Sequence, residues 1–197
     1  MKSSAASRRI AGVSVLTALS LIAFLLEGML PPMFIPGAKL GLGNIFVTIV
    51  LVVYSPVFAV ISVIVKCVIG NLIAGSLSTM LYSLAAGLVS IGLSSLLLYG
   101  CRRLSLTAVS VASACVHNTV QCLVFCGISG TPQAIVYLPY LVLLGALSGA
   151  AVGIATQLLL SRVPETYYLK LEPALNENFG AGVDKTTVDK TDNGGRS

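Results

Sequence analysis

No aspartate occurs before Asp184, and between Ile10 and Ser161 the only charged residues are Glu27, Lys39, Lys66, Arg102 and Arg103. Charged residues make up 10% of the 197-residue chain, against about 25% in an ordinary soluble domain. The shortage of acid excludes several chemistries. An Asp-rich cluster that holds magnesium, a Ser–His–Asp set, a Walker loop and a pair of acids inside the apolar region are all missing. Catalysis by this chain alone is therefore not expected, and neither is a cofactor. The five cysteines, Cys67, Cys101, Cys115, Cys122 and Cys126, lie in or beside apolar stretches and read as free thiols. Cys122 and Cys126 can share a helix face, but a metal site needs more ligands than His117 supplies. The net charge of +5 comes from basic ends and loops. No basic patch alternates with aromatics, so nucleic acid is not an expected partner.

What is present is apolar sequence. The chain is 56% hydrophobic, with a mean hydropathy of +0.95. Runs of about 20 apolar residues read as membrane-spanning helices. They fall at residues 10–30, 40–54, 56–74, 77–99, 106–128 and 139–160, and predict an all-α integral membrane protein, a bundle of six transmembrane helices. The second run is too short to cross alone and needs the segment before it to complete its path. Ser55 with Pro56 reads as a cap and first turn for the third helix, and Pro139 takes the first-turn role in the sixth. The N-terminal run is too long for a signal peptide, and no cleavage site follows it.

Lys2, Arg8 and Arg9 precede the first helix, Arg102 and Arg103 separate the fourth from the fifth, and Arg162 follows the sixth. With six spans these all fall on one side, which the basic-residue bias makes cytoplasmic. Both termini are then cytoplasmic and residues 31–40 face out. The chain divides into a basic N-terminus (1–9), a membrane domain (10–162) with an irregular outer segment at 31–43, and a polar tail (163–197) of disordered composition. The expected location is the cell membrane, as a multi-pass protein of prokaryotic type in contact with the lipid bilayer.

Polar residues inside spanning helices normally face a bundle interior or a cavity. Lys66 sits near the middle of the third helix, too deep for easy snorkelling. Asn71 lies five residues on, and Glu27 closes the first helix within reach of the headgroups. In "VHNTVQC", His117 and Gln121 are four apart on one face while Asn118 points about 100° away; a hydrogen-bonded helix contact explains that trio as well as a site does. Gly145, Gly149 and Gly153 repeat every four residues in the sixth helix, a packing face. Ala11, Ser14 and Ala18 form a weaker small face on the first.

"PPMFIPGAKLGLGN", residues 31–44, holds three prolines, three glycines and a single charge, Lys39. Irregular backbone at membrane depth is tolerated where it lines a cavity or is buried in protein, so this segment reads as the cap of an outward pocket or as a rigid plug. Within it, Ile35–Asn44 resembles the Pro-Gly-x-Lys-Leu-Gly-Leu-x-Asn motif of the Gx transporter family, also catalogued as heptaprenyl diphosphate synthase component I. "LEGMLP", "HNTVQ" and "YLPYLVLLGALSG" agree in order and spacing, so the likeness covers about residues 10–162. The family is similar to the substrate-binding S components of energy-coupling-factor (ECF) transporters. The resemblance implies a six-helix membrane protein that captures a vitamin-like or cofactor-like solute outside and works with an ECF T component and ATPases. S components dock through an Ala-x-x-x-Ala face on helix one, whose nearest equivalent here is Ser14-x-x-x-Ala18.

The resulting expectation is an S-component-like subunit of a small-molecule uptake transporter that binds an anionic solute. Lys39, Lys66, His117 and Gln121 line its site, with Asn44 and Asn71 near the mouth. The alternative is a non-catalytic membrane subunit, like heptaprenyl diphosphate synthase component I, that anchors or assists a partner enzyme of prenyl or quinone synthesis.

Overall fold

The computed structural model describes residues 2–29, 41–101 and 104–162, with side chains from residue 7 onward. Six helices account for nearly all of them: α1 (Lys2–Met29), α2 (Leu42–Val53), α3 (Pro56–Ile73), α4 (Leu77–Gly100), α5 (Leu106–Ser129) and α6 (Leu138–Leu160). A 3-10 turn, Pro132–Tyr137, leads into α6. Five stretches are long and apolar enough to cross a membrane: Ser7–Met29, Pro56–Ile73, Leu77–Gly100, Leu106–Ser129 and Pro132–Leu160. The sixth helix, α2, has 12 residues. That is about 18 Å at 1.5 Å per residue, against a hydrocarbon core of about 30 Å.

Several boundaries differ from the sequence reading. α1 begins at Lys2 rather than near Ile10, because its Ser- and Ala-rich start can be helical without being apolar enough to lie in lipid. The basic residues Arg8 and Arg9 therefore belong to the first helix. α2 opens at Leu42 rather than at Leu40, so Leu42 and Gly43, which the sequence reading counts both in the second run and in the irregular segment, are helical. Gly41 precedes them with φ 75°, a left-handed conformation that favours glycine. Ser55 makes no side-chain cap bond to α3. Its carbonyl instead accepts the first helical bond, from Ala59 N–H at 3.1 Å. Serine caps do form elsewhere: Ser76 Oγ accepts from Thr79 N–H, and Ser105 Oγ from Ala108 N–H.

The helices form a ring with one member outside it. α2 packs on α3, α3 on α4, α4 on α5, α5 on α6, and α6 returns to α2; α1 lies against α2 and α3. α2 is largely buried, and this accounts for a helix that is apolar but for Asn44 and Thr48. Its Val47, Val50 and Leu51 meet Val13 of α1, Ala59, Val63 and Cys67 of α3 and Ile91 of α4. Ile49 and Val52 meet Leu106 of α5 and Leu160 of α6. The α5–α6 seam is the closest. A Cβ on Gly149 would stand 2.8 Å from Ser110 O and 2.8 Å from Val111 Cα, and one on Gly153 would stand 2.7 Å from Thr107 Cα. Backbones this near are held by van der Waals packing, because lipid supplies no hydrophobic force between helices. Ser14 and Ala18 point away from the bundle and are exposed.

Candidate functional site

The ring encloses a cavity of about 50 Å³ to which α2, α3, α4, α5 and α6 all contribute and α1 does not. Its wall mixes apolar and polar groups. α2 supplies Asn44 and Thr48, α4 supplies Ser90 and Ser94, and α6 supplies Ser148. α5 gives most: Ser110, Ser113, His117 and Asn118. These positions share a face because they recur at three- and four-residue steps along their helices.

Hydrogen bonds across the cavity tie its walls together. Ser113 Oγ of α5 donates to the Ser90 carbonyl of α4 at 3.1 Å. Ser90 Oγ lies 3.4 Å from His117 Nδ1 and itself donates to Gly87 O at 3.1 Å. Asn118 Nδ2 donates to Leu141 O of α6 at 2.8 Å. Asn118 is thus the bridge between α5 and α6, beside Gly145, where an added Cβ would stand 2.9 Å from its amide nitrogen. Ser110 Oγ is buried and has no hydrogen-bond partner among the described residues.

A second polar cluster adjoins the cavity where α2 begins. Lys66 is 5% exposed, and its Nζ donates to Asn44 Oδ1 at 2.7 Å. Glu27 is buried rather than reaching the headgroups. Its carboxylate accepts from Gly41 N–H at 2.5 Å, at the positive end of α2. Glu27 and Lys66 thus meet the same turn, at Gly41 and Asn44. Ser20 Oγ donates to Gly43 O at 2.7 Å, and a Cβ on Gly43 would stand 2.8 Å from Ser20 O. α1, α2 and α3 are joined at this one point.

The residues singled out in the sequence separate into groups. Asn44 and His117 line the cavity, and Lys66 is bound to Asn44 behind its wall. Gln121 is buried one turn from His117, outside the lining, and its amide nitrogen has no partner among the described residues. Asn71 is not at a mouth: it is 1% exposed and its Nδ2 returns to Cys67 O of its own helix at 2.7 Å. Lys39 lies outside the described residues. All five cysteines are free thiols. Cys67, Cys122 and Cys126 are buried, whereas Cys101 is exposed, since it follows the end of α4. Among the described residues no three of His, Cys, Asp and Glu converge as a metal set would.

Sequence reasoning passed over the serines. Ser83, Gly87, Ser90 and Ser94 repeat at helical spacing along α4, as do Ser110, Ser113 and His117 along α5. That alignment is the signal that marks a polar seam.

A family model described as heptaprenyl diphosphate synthase component I matches residues 16–159. No curated protein matches the chain, and no solved structure does. The match spans most of the chain, from α1 to the end of α6, and the chain belongs to this family.

Proposed function

We propose that this member of the heptaprenyl diphosphate synthase component I family is a non-catalytic, multi-pass membrane subunit that assists a partner enzyme of prenyl diphosphate synthesis. The family match carries the reading, because a component I implies a second component. The chemistry of the bundle is compatible with it. Chain elongation of an allylic diphosphate needs magnesium and carboxylates to hold it. Glu27 is the sole acid among the described residues and is committed to the start of α2. The partner would bring the catalytic groups and this chain the membrane in which a long apolar product dissolves. We place six crossings in the cell membrane of a prokaryote, with α2 and the segment before it sharing one crossing path, and both termini in the cytoplasm.

Membranes from cells with and without the chain, supplied with short allylic and homoallylic diphosphates, test the proposal. Long prenyl products should fall on deletion and return when the chain is restored. Unchanged products would overturn it.

One observation favours a second reading, an S-component-like capture of a solute from outside for an ECF-type module. The ring encloses a cavity at its centre whose wall carries Asn44, Thr48, Ser90 and His117 among apolar groups, where a packing-only bundle would have apolar filling. Small-molecule sites usually measure about 300–1,000 Å³, so a cavity of about 50 Å³ must widen to admit a vitamin-sized solute. Purified protein that retains a stoichiometric small molecule by mass spectrometry, with prenyl products unaffected by deletion, would put this reading first.

A further inference from the structure

We infer that the central cavity is a binding site for a small monovalent cation, an alkali ion or ammonium. The inference goes beyond both functional readings and depends on neither. It rests on where the hydroxyl protons around the cavity point.

Each serine or threonine hydroxyl has one proton to give. Thr48 gives its proton to Asn44 O, Ser90 to Gly87 O, Ser113 to Ser90 O and Ser148 to Gly145 O. With those protons spent on backbone carbonyls, the four side chains have only oxygen lone pairs left for the cavity. The amide group of Asn118 is similarly committed, its nitrogen to Leu141 O, which leaves its carbonyl oxygen. Because the Ser90 proton is engaged, the contact with His117 Nδ1 makes that nitrogen the donor. The wall of the cavity is therefore rich in acceptors. The donors it retains are the Ser94 and Ser110 hydroxyls and the Asn44 amide, whose oxygen is held by Lys66.

Ser110 is the second observation. It is buried to more than nine-tenths, lines the cavity and has no hydrogen-bond partner among the described residues. A buried hydroxyl left unpaired costs about 1–3 kcal/mol, so a ligand that engages it stabilises the protein. An acceptor wall repels an anion and satisfies a cation, as neutral oxygens do in ion-selective pores. The charge must be single. Among the described residues no carboxylate lines the cavity, and the cost of burying an ion grows as the square of its charge, about fourfold for a divalent ion. Lys66 and Glu27 meet the same turn at the start of α2, through Asn44 and Gly41, so groups of opposite sign adjoin the cavity together. A volume of about 50 Å³ suits an ion of this size and not an organic solute.

The test uses the full chain purified in detergent without metal ions, and compares sodium, potassium and ammonium chloride with N-methylglucamine chloride at equal ionic strength. At least one of the three should raise the unfolding temperature saturably. Ser110→Ala should unfold at or above the wild-type temperature in N-methylglucamine, because it removes an unpaired buried hydroxyl. It should also weaken the apparent affinity for the responding cation by about tenfold. Thr48→Val should weaken the response too, whereas Ser95→Ala, whose hydroxyl serves Ile91 O outside the cavity, should leave it intact. Equal unfolding temperatures in all four salts would overturn the inference and leave the cavity to water. A full response in Ser110→Ala would overturn it as well.

Discussion

Lys66 holds an ammonium group inside a helix bundle at 5% exposure, and a group so placed must be compensated. Asn44 Oδ1 at 2.7 Å supplies the direct contact. Removing either partner leaves the other buried and unsatisfied, at roughly 1.5–3 kcal/mol for a hydrogen bond to a charged group. Lys66→Met and Asn44→Ala should each lower thermal stability in detergent. The double variant should lose less than the sum, because the second change removes a group already orphaned. Strict additivity would show that the two side chains do not act as a pair. The isolation of Lys66 was legible in the sequence as a lone cation in an apolar run. Its partner was not, since the 22 positions that separate it from Asn44 cross a helix end and fix no angle between the two.

The seam between α5 and α6 depends on glycine at particular positions rather than on small residues in general. Gly149 faces backbone atoms at 2.8 Å, while a Cβ on Gly92 of α4 would meet nothing within 4 Å. Gly149→Ala should therefore push α6 away from α5 and lower the unfolding temperature. Gly92→Ala should hold or raise it, since alanine exceeds glycine in helix propensity by up to about 1 kcal/mol. If the two variants unfold together, the seam is looser than its geometry. The four-residue repeat of Gly145, Gly149 and Gly153 was visible in the sequence, but which helix it meets was not, because spacing defines a face and not its neighbour. The serine seam was missed for a related reason. In an apolar run a serine reads as small and neutral, and its role emerges only when Ser90, Ser113 and their carbonyls meet across two helices. The long runs located the helices well, while the start of α1 and the 3-10 turn before α6 escaped, because neither depends on apolarity.

The whole molecule has two distinguishable ends. α1 and α2 run antiparallel, with Gly12 beside Tyr54 and Glu27 beside Gly41. α5 and α6 also run antiparallel, Gly145 lying at Ala114 and Gly153 at Thr107. Ile49 and Val52 near the end of α2, Leu98 of α4, Leu106 of α5 and Leu160 of α6 cluster together. The end defined by that cluster therefore includes Ser105 and Arg162, and Tyr54 brings the start of α1, with Arg8 and Arg9, to it. Gly41, Gly75 and Thr131 follow or precede the opposite ends of their helices. Basic residues near helix ends favour the cytoplasmic face, and because the packing gathers Arg8, Arg9 and Arg162 at one end, we propose that end as the cytoplasmic one. A cysteine at Thr131, in a chain whose five native cysteines have been replaced, should react with an impermeant thiol reagent applied to intact cells. A cysteine at Ser105 should react only after the membrane is opened. Both positions are exposed in the protein, so a difference between them reports sidedness rather than burial. The reverse pattern would turn the molecule over. Gly41 and the Glu27–Lys66 cluster would then face the cytoplasm, and capture of a solute from outside through that end would have to be abandoned.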